Sequence, residues 1–412
     1  MTLNIQTLTS KFSYEKSYFY LLVLLAISIP LSRAGISLAI LSLMLLWVIE
    51  GNYKSKYATI KAIPFFQTTF LFFSFMTLSL LWSANIEEGL HYMRLYSYWF
   101  IIVIIVTSLN EKYIPYIINA FILAMFVSEI LTYGVYFEFW SIKGATRAEP
   151  TIFMTHINYS VLLAVTVVLL LNRIFMHQST KQVKALSSFF LFMVLGNLLI
   201  SNGRAGLLAL IVSLSVLFLV HFRHSIKKLL LTFTALIGIL VIAFYSVDNF
   251  NHRVKATVND LTSFSDKHYQ SSIGIRLSYW PVTKDIFLEN PIMGVGIGGA
   301  LTASHNEYVK NKYGFADSVI EFTHNMHYFN IFLQTLAQMG IIGLTLIIML
   351  FYKLLVLKIA DKEMKIFSFL FTIIFAVASM TEPLWYKQTT IAIFILLVGI
   401  FIKLSISKKV SS

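Results

Sequence analysis

The chain reads as an all-α polytopic membrane protein of about twelve transmembrane helices, with one long loop between the ninth and tenth. Three observations predict this. Of its 412 residues, 58% are hydrophobic and only 12% charged, against about 25% charged in soluble domains. Apolar runs that approach the roughly 20 residues needed to cross a ~30 Å hydrocarbon core recur from end to end. The runs are continuous and lack the period-two alternation of a membrane barrel. Inside hydrocarbon, a single segment satisfies its own backbone only as a helix. The expectation is therefore one transmembrane domain, 1–412, with the stretch 248–327 a loop within it.

The first candidate helices, 17–32 and 34–50, share the tight turn Pro30-Leu31-Ser32-Arg33. The third, 64–82, ends at Leu81-Trp82-Ser83. Then come 95–109, 113–136 and 158–176, followed by 186–201 and 204–221, which are joined through Ser201-Asn202-Gly203-Arg204. The ninth is 228–247. Beyond the loop lie 328–352, 365–382 and 390–405.

The sides of the connections follow from the distribution of basic residues, which favour the cytoplasmic side. With the N-terminus inside, nineteen of the 32 Lys and Arg fall on inner segments. Six fall on short outer connections: Arg33, Arg94, Lys143, Arg147, Arg204 and Lys387. Seven fall in the long loop, which its length exempts. An even number of helices puts both termini in the cytoplasm, so that in a bacterium the loop faces the periplasm. No cleavable signal peptide is evident, because the first apolar run leads into the second without a small-residue cleavage site.

There are no cysteines, which excludes thiol chemistry, disulfides and thiolate metal sites. The net charge of +13 lies in short loops and reports topology, so nucleic acid is not an expected partner. No internal repeat stands out, which argues against a transporter built from repeated halves. Residues 248–275 are rich in Asn, Ser, Asp and Thr and are expected to be partly mobile. Further on, Leu277, Trp280, Ile286 and Phe287 are expected to share the apolar face of a short interfacial helix, with Pro281 in its first turn or at a kink.

Candidate functional residues gather on the outer side. Arg204 sits in a tight turn at the N-terminus of a helix, where the dipole and the guanidinium together favour an anion. Its ordinary alternative is an arginine that marks the membrane boundary. Arg276 offers a second planar fork of donors for phosphate oxygens; alternatively it is a loop charge paired with Asp285 or Glu289. Arg94 follows Trp82 to Glu88 at the outer start of a helix and is a weaker third candidate. Gly294-Val295-Gly296-Ile297-Gly298-Gly299 lacks the preceding strand of a dinucleotide fingerprint, so it reads as a turn that lets the backbone pack closely on the membrane domain or a substrate.

His305, His324 and His327 lie in the loop or at its exit. A zinc pair at His324 and His327 lacks an acidic partner at the usual spacing. A neutral imidazole acting as general base fits better, since its ordinary pKa lies near working pH. No metal and no cofactor are expected.

Taken together, these residues resemble the bacterial O-antigen ligase and polymerase superfamily. The resemblance runs through Leu81-Trp82-Ser83 with Arg94; Arg147 and His156-Ile157-Asn158; the turn at 201–206; the Arg, Trp, Asn-Pro and Gly-x-Gly series from Arg276 to Gly296; and Leu333-Gln334 through Gly340-Ile341-Ile342-Gly343. It implies a metal-independent, inverting glycosyltransferase that moves a glycan from an undecaprenyl-diphosphate-linked donor. The preferred acceptor is lipid A core, as in the O-antigen ligase of lipopolysaccharide biosynthesis. The implied location is the bacterial inner membrane, with the active site facing the periplasm and membrane lipid around it.

By the same resemblance, Arg204 and Arg276 hold the diphosphate and His324 or His327 is the base. Counted back from Gly340-x-x-Gly343, the family's His-Asn pair falls on Phe329-Asn330, which is a departure. O-antigen polymerase and protein O-oligosaccharyltransferase are alternatives within the superfamily. A lipid-linked glycan flippase or transporter is the alternative of another class; it would place charges deep in the helices.

Overall fold

The structure is a computed structural model that describes residues 13–147, 149–175, 179–265, 269–323 and 326–407. All regular elements among these residues are helical, and eleven helices are long and apolar enough to cross a membrane. The remaining expected span, 365–382, is the 17-residue helix Lys362–Ala378. It packs Phe367 against Phe401 and Phe375 against Phe394 of the last helix, Gln388–Ile406.

His156–Phe175 and Gln388–Ile406 form the centre of the bundle, with 72% and 78% of their apolar windows buried. Ile226–Ser246 lies at the other extreme: 6% of its window is buried. A helix so apolar and so uncovered is stable only where hydrocarbon surrounds it. The chain is a multi-pass membrane protein.

One span differs from the sequence reading. The expected helix 95–109 begins nine residues earlier, as Ile86–Tyr96, passes through a 3-10 turn at Ser97–Trp99 and continues as Phe100–Ser108. Asn85 caps it by accepting from the Glu88 amide at 3.0 Å, and Glu87 and Glu88 complement the positive end of the helix dipole. Those acids lower the apolar average that hydropathy reads, which hid the true start.

The long loop is also more regular than expected. Residues Asp248–Ser265, in the stretch read as partly mobile, form a helix. They are followed by Ser272–Glu289, Ala300–Lys310 and Asp317–Thr323. The expected apolar face on Ser272–Glu289 is wrong by part of a turn. Tyr279, Val282 and Ile286 are buried, together with Ser278 and Thr283, whereas Trp280 is exposed. A small core causes this: Tyr279 and Val282 pack with Tyr308, Phe315, Val319 and Tyr328, and with Leu333 and Ala337 of Ile331–Leu355. Pro281 is the tenth residue of this helix and not in its first turn. It removes the amide that would bond the carbonyl of Leu277.

The glycine-rich segment joins the loop to the membrane helices. Gly340 interrupts Ile331–Leu355 with φ +59°, a value suited to glycine alone. The break frees two carbonyls, and Val295 and Gly296 donate their amides to Ala337 O and Gln338 O at 3.0 and 2.9 Å. On its other side, the segment donates from Ile297 N to Ser79 Oγ at 3.1 Å and from Gly298 N to Ser83 Oγ at 3.0 Å. Its closeness serves backbone packing on the membrane domain.

Candidate functional site

The turn between Lys181–Ile200 and Arg204–Phe222 rests on the start of His156–Phe175. Gly206 donates its amide to Ser160 Oγ at 3.0 Å, and a Cβ on Gly206 would lie 1.9 Å from Ser160 O. Arg204 is therefore fixed at its helix N-terminus, as the sequence predicts. Its side chain is partly exposed and turns toward Asp248–Ser265, bonding Thr257 Oγ1 at 3.0 Å and standing 3.8 Å from Asp260.

Arg276 approaches from Ser272–Glu289. Its Nη1 donates to Ser272 O at 2.7 Å and to Ser272 Oγ at 2.6 Å, and its Nε donates to Thr381 O at 3.3 Å. The guanidinium carbon lies 4.6 Å from the centre of the Phe329 ring. The ion pair considered for it with Asp285 or Glu289 does not form, because Lys312 takes Asp285 at 3.3 Å and Lys310 faces Glu289 at 3.9 Å. Burial lowers the Arg276 pKa; Glu382 opposes that shift and Arg204 adds to it. Two guanidinia from distant helices thus lie within each other's field.

Arg253 joins them. It bonds Ile200 O at 3.3 Å and Asn202 Oδ1 at 2.9 Å, tying the Arg204 turn to the loop. Burial, with Arg204 beside it, pushes its pKa down to about 10. His156, at the head of the central helix, lies within the fields of Arg253 and Arg276 and is 3.3 Å from Glu149. Sequence reasoning counted Arg253 only among the loop charges and His156 only as a landmark of the resemblance. Neither has a local pattern; only packing shows that they converge.

On the other flank of Arg276 the turn after Lys362–Ala378 supplies Glu382 and Lys387. Glu382 is buried and its pKa is raised by that burial, against the pull of Lys387 and Arg276. Lys387 also acts on His327, whose Nδ1 lies 3.0 Å from Tyr92 Oη. Burial lowers the His327 pKa, Lys387 lowers it further and Glu88 opposes them, so the imidazole is neutral at neutral pH. Tyr386 packs beside both rings.

The other expected residues are placed as follows. His324 and Asn325 lie outside the described residues. Asn330 caps Ile331–Leu355, accepting from the amides of Phe332 and Leu333 at 2.9 and 3.2 Å. Phe329, in the register of the family's histidine, carries the Arg276 guanidinium. Arg94 is exposed in the last turn of Ile86–Tyr96, with Nη2 3.1 Å from His91 Nδ1. Among the described residues, no three His, Asp or Glu side chains group as a metal site.

The family model described as O-antigen ligase matches residues 188–348. That stretch holds the Arg204 turn, the whole loop with Arg253 and Arg276, and the kinked helix at Gly340. Over that stretch the chain is similar to the O-antigen ligase family. No curated protein matches it. The superfamily indicates glycan transfer in lipopolysaccharide or related glycan biosynthesis, with lipid-linked glycan substrates, at a membrane. The matched region carries the arginines, while Glu382 and Lys387 lie beyond it.

Proposed function

We propose that the protein is an O-antigen ligase that transfers a glycan from undecaprenyl diphosphate to lipid A core, at the periplasmic face of a bacterial inner membrane, with both termini in the cytoplasm. The observation that carries this reading is the placement of Arg204 at a helix N-terminus and of Arg276 over Phe329 with its Nε on the Thr381 carbonyl, the two electrostatically coupled. Two like charges are held in one field at the polar end of a lipid-embedded bundle, an arrangement that a diphosphate stabilises. Each supplies part of a cradle for the charge that develops on the leaving diphosphate as the glycosidic carbon is displaced with inversion. No metal is required in this scheme.

The acceptor hydroxyl must lose a proton. His327 is the base in this reading, since it is neutral, half-buried and oriented by Tyr92; His324 is the other histidine of the pair. The alternatives in the superfamily are an O-antigen polymerase and a protein O-oligosaccharyltransferase. The test is the lipopolysaccharide banding of a deletion strain. Bare core without a ladder means ligase, core with a single repeat means polymerase, and an unchanged pattern means neither.

A further inference from the structure

The turn Thr381-Glu382-Pro383-Leu384-Trp385-Tyr386 is closed by its own backbone. Glu382 N donates to Ala378 O at 3.0 Å and Leu384 N to Glu382 O at 2.9 Å, and Leu384, Trp385 and Tyr386 are buried beneath it. Glu382 is therefore held in one place. Its residue is 6% exposed, and its Oε2 is buried without a hydrogen-bond partner. Buried carboxyl groups are normally paired, because leaving the group without a partner forfeits its hydration. Arg276 does not fill that need: its donors go to Ser272 and to the carbonyl of Thr381, one residue away. The result is a fixed, unsatisfied polar group beside Arg276 and Lys387.

In a lipid-linked glycan the first sugar is bonded directly to the diphosphate. A residue next to the diphosphate's arginine therefore stands next to that sugar, whose hydroxyl or acetamido N–H groups are donors. We propose that Glu382 recognises the first sugar of the donor, its carboxyl group forming a hydrogen bond with a polar group on that ring. This rests on the reading of Arg204 and Arg276 as diphosphate ligands and adds a sugar subsite to it. The arginines hold what every lipid-linked donor shares, and Glu382 reads what differs between donors.

The experiment measures binding of two probes to the purified full-length protein in nanodiscs. One is undecaprenyl diphosphate without sugar, and the other is the lipid-linked glycan extracted from cells that make the protein. Glu382→Ala is expected to weaken the glycan probe by about tenfold or more while leaving the bare diphosphate within about twofold of wild type, the effect of losing one hydrogen bond to a carboxyl group. Glu382→Gln keeps the shape and some hydrogen bonding, and is expected to show a smaller loss of the same selectivity. An Ala variant that binds both probes as wild type does, or loses both equally, overturns the proposal. If the Ala variant does not fold, the Gln variant decides, and wild-type affinity for the glycan probe then overturns it. Arg276→Ala separates the two claims: unchanged binding of the bare diphosphate removes the diphosphate reading, whatever Glu382 does.

Discussion

Arg276 reaches across 105 positions of sequence to donate from Nε to the backbone carbonyl of Thr381 at 3.3 Å. That bond fastens the long loop to the turn between the last two membrane helices. It sets the guanidinium over Phe329 and within the field of Arg204. The geometry of the site depends on it more than on any local motif.

Arg276→Ala and Arg204→Ala are each expected to lower transfer by about a hundredfold or more, the scale of removing a donor aimed at developing charge. The protein should still reach the membrane. Lysine at either position should restore only part of the rate, since it lacks the planar fork. Purified variants assayed with lipid-linked donor and acceptor check this; full activity in both Ala variants would remove these residues from the mechanism.

Burial lowers the His327 pKa below its ordinary value of 6.5. The neutral, proton-accepting form therefore persists to lower pH than in a free histidine. Transfer should rise with pH through a value below 6.5, and His327→Ala should abolish that limb. Tyr92→Phe removes the 3.0 Å contact to Nδ1 and should displace the limb while leaving donor binding intact. A rate profile unchanged in His327→Ala, His324→Ala and the double variant would show the histidines to be structural.

Transfer is expected to survive EDTA. Among the described residues, His, Asp and Glu do not cluster in the threes that a divalent ion needs, and in the proposed mechanism the arginines supply the positive charge. Loss of activity on chelation, restored by Mg²⁺ or Zn²⁺, would require a different mechanism.

Gly340→Ala tests the joint between loop and membrane. A Cβ there would lie 2.4 Å from Ile292 O, at φ +59°. The change is expected to destabilise the protein by roughly 1–3 kcal/mol and to reduce transfer as the loop shifts. Thermal unfolding in detergent reads the first effect. A wild-type melting temperature would mean that the segment relaxes without cost.

The sequence by itself determined the membrane class, nearly all the helix positions and the place of Arg204 at a helix start. Hydrophobic length is a local property, set by the thickness of hydrocarbon, so it can be read along the chain. A guanidinium at a helix start is equally local. Only the tertiary structure decided that the loop is helical and packs around a core shared with Ile331–Leu355, because the buried face of Ser272–Glu289 is chosen by Tyr308 and Tyr328 and not by its own pattern. It alone brought in Arg253, His156, Glu382 and Lys387. Convergence of charges from distant segments is settled by packing, which carries no sequence period. A buried carboxyl group such as Glu382 reads in the sequence like any solvated acid until the fold shows that water has been removed from it.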